Sequence, residues 1–205
     1  MIKDFVNLSD FRGEQLAGLL DRAVADKQRI ARGEPAGEMH GKTLAMIFEK
    51  PSLRTRVSFE AAMAQLGGHA IYLTQADIGL GQREPVKDIA RVLGRMCDAL
   101  VARTFSHETV EELARHAPVP VVNALTDRSH PCQAMADLLT VREHLGDLRG
   151  RTLAFVGDGN NVARSLAVGC AKLHVRFVLA APKGYGLDEA FVESVRETGG
   201  ADCCR

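Results

Sequence analysis

From residue 43 onward, short apolar runs alternate with amphipathic stretches, and this beat constrains the fold more than any other feature of the sequence. TLAMIF (43–48), AIYL, ALVAR, PVPVVNAL, TLAFVG and RFVLAA read as strands. Between and after them, helices are predicted up to Leu66, and over Val86–Cys97, His107–His116, Pro131–Leu145, Asn160–Leu173 and Asp188–Thr198. Strands spaced by helices of this length require right-handed βαβ crossovers. The fold class is therefore α/β, with parallel sheets and helices on both faces. Ahead of this pattern, apolar positions between Ser9 and Arg32 predict one long opening helix, capped by Ser9 and stopped by Gly33.

The polar break HLGDLRGR (144–151) separates four strands from two, which divides the chain into domains 1–146 and 147–205. Two strand-helix pairs are few for a closed core, and the sequence reaches GGADCCR where a next strand is expected. The second domain is accordingly expected to be incomplete, with an uncovered sheet edge and apolar face, and low stability or aggregation.

A chain of 205 residues can remove roughly 70% of its unfolded surface from water. Its 26 basic and 26 acidic residues cancel, so no general field draws it to nucleic acid or anionic lipid, and any anion site must be local. No stretch has the length of a signal sequence or bilayer span, which gives a cytoplasmic expectation. The cysteines Cys97, Cys132, Cys170, Cys203 and Cys204 lack CxxC or paired His/Cys spacing, so neither disulfides nor a metal site is expected.

Local chemistry is densest in FEKPSLRTRVSFE (48–60), where a strand stops at Pro51 and a helix starts. Pro51 biases Lys50 away from helix and Ser52 suits an N-cap, leaving Leu53, Arg54 and Thr55 in the first turn. Open amides, the positive end of the helix dipole, two hydroxyls and a guanidinium make a phosphate site. Arg56 reads instead as an ordinary intrahelical partner of Glu60.

In SHPCQ (129–133), Pro131 suits the first helical position, putting His130 at the cap and Gln133 in the first turn. Arg103 ends the strand ALVAR. The strand ends of a doubly wound sheet collect ligands, so these groups are candidates for a common pocket. FVGDGNNVARSL (155–166) has Gly157 and Gly159, but Val162 replaces the third glycine and no acidic residue ends the next strand, so a nicotinamide site is not supported. Asn160 and Asn161 are left either to cap the helix or to bind an amino-acid substrate.

PSLRTR, Arg103 in VARTFSH, HPCQ and GDGNN, in this order and spacing, resemble the aspartate/ornithine carbamoyltransferase family, its ornithine branch most closely. The resemblance implies a first domain for carbamoyl phosphate, a partial second domain for the amino acid, and a homotrimer. It assigns the phosphate to Ser52, the Leu53 amide, Arg54 and Thr55. Arg103 and His130 would face the carbamoyl oxygen as catalytic groups, Gln133 the carbamoyl amide, and Asn161 the ornithine. The implied reaction is carbamoyl transfer to the side-chain amine of L-ornithine, giving citrulline and phosphate in arginine metabolism, without metal or organic cofactor. N-acetylornithine and putrescine remain alternative acceptors, and a noncatalytic phosphate-binding or regulatory relative is an alternative function. The sequence departs from the family at Leu53, where S-T-R-T-R has threonine, and at Gly79 in DIGLGQREP, where many relatives carry glutamine; Gln82 lies nearby.

Overall fold

The computed structural model describes residues 3–34, 37–81, 83–200 and 203–204, so Gln82 lies outside the described residues. The elements run α1 (Gly13–Ala31), β1 (Thr43–Phe48), α2 (Leu53–Gln65), β2 (His69–Thr74), α3 (Gln75–Ile78), α4 (Val86–Met96), β3 (Ala99–Arg103) and α5 (His107–His116). They continue with β4 (Val121–Leu125), α6 (Pro131–Leu145), β5 (Thr152–Val156), α7 (Asn161–Lys172), β6 (Arg176–Ala180) and α8 (Glu189–Gly199). Packing gathers these into two compact units: residues 1–6 with 26–127, and residues 7–25 with 128–205.

The first unit is a four-stranded parallel sheet in the order β2-β1-β3-β4. Consecutive β1 residues from Leu44 to Phe48 are buried, as a strand covered on both faces requires. Side-chain alternation splits the core accordingly. Ala45, Ile47, Leu100 and Ala102 pack with Ile89 of α4 and Leu113 of α5, whereas Leu44, Met46, Phe48 and Val101 pack with Met63 of α2. The chain moves outward from β1 to β2, then crosses to β3 on the other side. This reversal puts the switch point between β1 and β3, where Phe48 pairs with Arg103.

The second unit contains a two-stranded parallel sheet, β5-β6, and the helices α6, α7 and α8. Its buried centre is α7, through Ala163, Leu166, Ala167, Cys170 and Ala171. Cys204 makes a parallel bridge to Phe177, beside β6, so the segment expected to begin another strand does touch this sheet.

The opening helix differs from expectation. A 3-10 turn at Leu8–Asp10 comes first, Phe11 is extended, and α1 begins only at Gly13. The Lys172 ammonium accounts for the break. It donates to the carbonyls of Ser9, at 2.7 Å, and Phe11, so neither continues a helical ladder.

Candidate functional site

The first cluster forms because β1 ends beside β3. Pro51 follows Lys50, Ser52 is extended (φ −157°, ψ 109°), and α2 starts at Leu53 as the motif predicts. Ser52 occupies the N-cap position but does not cap through its side chain. Its hydroxyl instead donates to Thr55 Oγ1 at 2.9 Å. The first-turn amides are thus left for an outside acceptor. Leu53 is 78% exposed, so the leucine in place of threonine packs against nothing in the core.

Arg103 reaches this helix start across the switch point. Its guanidinium donates to Thr55 Oγ1 at 3.3 Å, while its buried Nε has no hydrogen-bond partner among the described residues. Burial, and then the neighbouring positive Arg54, lower the Arg103 pKa from its ordinary value. Ser52, Thr55 and Arg103 are therefore linked by hydrogen bonds, with the positive Arg54 near enough to act on Arg103. Arg56 does not join them. It donates to Glu60 at 2.9 Å and lies over the Tyr72 ring, 4.0 Å from its centroid.

Two residues that sequence reasoning passed over complete this cluster. The Lys50 ammonium sits 4.7 Å from the centroid of Phe105. Burial, then Arg103, lower its pKa, with Asp127 and Glu49 opposing. Glu49 ties the two strand ends: its N–H donates to the Arg103 carbonyl at 2.9 Å and its carboxylate accepts from the Phe105 N–H at 2.6 Å. Both flank the recognised motif, so the signal available was adjacency to Pro51.

The remaining candidates belong to the second unit. Pro131 takes the first position of α6 and His130 its N-cap, again without a side-chain cap bond. Gln133 donates from Nε2 to Asp137 Oδ1 at 2.8 Å. Because a carboxylate accepts, this bond uses the Gln133 amide nitrogen and leaves its carbonyl oxygen as an acceptor for an amide donor. Burial raises the Asp137 pKa, and the Gln133 bond opposes that rise.

At α7 the open choice between the two asparagines resolves for Asn160. Its side chain accepts from the N–H groups of Val162, at 2.9 Å, and Ala163, at 3.1 Å. It is the cap, and those two amides are spent. Gly159 is required there, since a Cβ would stand 2.6 Å from the backbone of Gly186 and Leu187. Asn161 opens the helix, and its carbonyl accepts from Ser165.

Gly79 ends α3 in the left-handed region (φ 61°), where a Cβ would stand 2.7 Å from that of Arg83. This loop conformation favours glycine and would strain any side chain placed there. Among the described residues, no cluster of His, Cys, Asp or Glu suits a metal ion, and no helix is long and apolar enough to cross a membrane.

A doubly wound parallel sheet whose switch point carries an uncapped helix start and an unpartnered arginine nitrogen defines an α/β protein with a candidate anion site. Comparison narrows the class. The model of the aspartate/ornithine carbamoyltransferase carbamoyl-P binding domain matches residues 3–143, and that of the Asp/Orn binding domain matches residues 149–202. The chain belongs to the aspartate/ornithine carbamoyltransferase family.

It is 56% identical to the ornithine carbamoyltransferase of Bacillus subtilis over 92% of its length and 58% of the relative's. It is 47% identical to the anabolic enzyme of Pyrococcus furiosus over 97% of its length and 64% of the relative's. The solved Pyrococcus furiosus ornithine carbamoyltransferase superposes with a TM-score of 0.94 at 46% identity, covering 98% of this chain and 64% of that one. The Thermus thermophilus structure gives 0.88 at 47% identity, covering 96% and 67%. The chain thus spans about three fifths of the length of the curated relatives it matches.

Proposed function

We propose that this chain binds carbamoyl phosphate and carries the machinery for transferring its carbamoyl group to the side-chain amine of L-ornithine. The observation that carries the reading is Arg103, donating to Thr55 at the uncapped start of α2 with its Nε unpartnered. Ser52, the Leu53 amide, Arg54 and Thr55 take the phosphate. Arg103 and His130 serve the carbamoyl oxygen, Gln133 the carbamoyl amide through its carbonyl oxygen, and Asn161 the amino acid. Residues 1–146 form the carbamoyl-phosphate part and 147–205 contribute to the amino-acid part.

The neutral amine of ornithine attacks the carbamoyl carbon, and the C=O electron pair moves onto oxygen, where cationic donors stabilise the growing charge. As that pair returns, the C–O bond to phosphate breaks. The amine proton leaves with hydrogen phosphate, and citrulline remains. Arg103 next to Arg54 and Lys50 supplies positive charge already in place before the substrate arrives, so little reorganisation is needed in the reaction. The setting is a cytoplasmic homotrimer in arginine biosynthesis.

Isothermal calorimetry with inorganic phosphate and with phosphonoacetamide, the methylene analogue of carbamoyl phosphate, tests the reading. Both ligands should bind, and Arg103→Ala should weaken phosphonoacetamide about 10²-fold and phosphate less, since only the former loses the charge-assisted hydrogen bond to its carbamoyl oxygen. Failure of the parent chain to bind either ligand would sink the proposal. Binding with no citrulline formed, alone or mixed with intact ornithine carbamoyltransferase subunits, would favour a noncatalytic phosphate-binding relative.

A further inference from the structure

One buried hydroxyl in the second unit holds both helix starts to which substrate roles were just proposed. Ser165 on α7 is 4% exposed. Its Oγ donates to the Asn161 carbonyl at 2.9 Å, accepts the His130 N–H at 2.9 Å, and lies 3.3 Å from Ser129 Oγ. A serine hydroxyl has one proton and two lone pairs, and a carbonyl can only accept. The Ser165 proton is therefore directed to Asn161, while the His130 N–H is accepted on a lone pair and the Ser129 hydroxyl lies close by. These contacts hold the Ser165 hydroxyl in place.

We infer that Ser165 is a positioning residue for the carbamoyl group, locking the backbone of His130 against the first turn of the helix that carries Asn161. This rests on the carbamoyl-phosphate reading. Ser165 itself touches no substrate. His130 precedes Pro131, so its backbone choices are already restricted, and its own side chain makes no cap bond. The bond from its N–H to Ser165 selects among the conformations left, and so fixes the backbone position from which the imidazole projects. On the other side, the Ser165 bond to Asn161 joins residues four apart on one helical face, and Asn160 already caps that turn. The same hydroxyl thereby sets the register between a group serving the carbamoyl oxygen and one serving the amino acid.

A serine that merely stabilised the fold would weaken all ligands alike, or none, so the test reads a ratio. Inorganic phosphate uses the α2 start, whereas phosphonoacetamide adds a carbamoyl amide for His130 and Gln133. The parent should prefer phosphonoacetamide. Ser165→Ala should cut that preference about tenfold, the order set by one misplaced hydrogen bond, and leave phosphate affinity within about twofold. Ser165→Thr retains a hydroxyl able to bond the carbonyl four residues back and should recover most of the preference. Leu166→Ala, a buried neighbour with no such bonds, should lower the melting temperature and leave the ratio unchanged.

Should the alanine variant fail to fold, Ser165→Cys retains the bulk, weakens the hydrogen bonds and serves for the same comparison. Equal weakening of both ligands, or no weakening of either, overturns the role of Ser165. A parent that binds phosphate without preferring phosphonoacetamide overturns it as well, by removing the function of His130. A parent that binds neither ligand overturns the carbamoyl-phosphate reading itself.

Discussion

The starts of α2 and α7 look interchangeable on paper, since each follows a parallel strand and opens with a residue type favoured at N-caps. They behave oppositely. Asn160 turns its side chain onto two amides of its own helix, whereas Ser52 gives its hydroxyl to Thr55 and leaves the amides of its helix open. The difference lies in what stands nearby. At α2, Arg103 arrives from β3 and donates to Thr55. At α7, the backbone of Gly186 and Leu187 closes on Gly159, and the helix satisfies itself. A helix start becomes an anion site when its own side chains decline to cap it and a cation is delivered from another strand.

Supplying α2 with a cap of its own should break this asymmetry. Ser52 already has the extended backbone of an N-cap, so Ser52→Asp places a carboxylate on the first-turn amides and against the helix dipole. The variant should melt at a higher temperature without ligand, by the equivalent of about 0.5–2 kcal/mol. It should bind phosphate at least about tenfold more weakly, because the built-in anion occupies the same donors. Calorimetry and thermal melts read the two effects together. Unchanged phosphate affinity in Ser52→Asp would mean that the anion does not use this helix start.

The sequence makes the alternation of strands and helices legible, since burial on two faces leaves continuous apolar runs such as TLAMIF and an interrupted pattern does not. It also makes Arg103 legible as a strand-end cation, and α6 is legible to the residue because Pro131 fixes its start and Gly146 its end. The break before α1 is not legible, because its cause, Lys172, is remote in sequence from Ser9 and Phe11. Nor is the inversion of capping, since Ser and Asn have nearly equal N-cap preference and the outcome depends on tertiary neighbours. Ser165 is likewise hidden. Its spacing from Asn161 is visible, but its value lies in the bond from His130, which comes from a different helix start.

The self-capped helix supplies the converse test. Asn160→Ala removes the acceptor for two amides and should cost about 1 kcal/mol of stability. A lowered melting temperature with phosphate affinity unchanged within about twofold would keep the two helix starts functionally distinct. A loss of phosphate affinity matching that of Ser52→Asp would erase the distinction.

The smallest effect concerns Lys50, and its sign separates ligand binding from folding. Burial, then the positive Arg103, lower the Lys50 pKa, so the folded chain releases this proton at a lower pH than the unfolded chain does. In that interval the unfolded state binds more protons, and stability without ligand should rise with pH through the Lys50 contribution. The destabilisation from keeping the ammonium charged is fully present below the folded pKa, is relieved as pH rises through it, and is gone above the unfolded pKa. A bound dianion acts the other way, because it favours the ammonium, so phosphate affinity should fall a few-fold as pH climbs through the same interval. The difference between the parent and Lys50→Met is the quantity to measure, since it cancels every group other than Lys50. Subtracting the variant should isolate a rise in melting temperature and a fall in phosphate affinity over one pH window. If both slopes are identical in parent and variant, Lys50 contributes nothing to the anion cluster, and the positive charge at the α2 start reduces to Arg54 and Arg103.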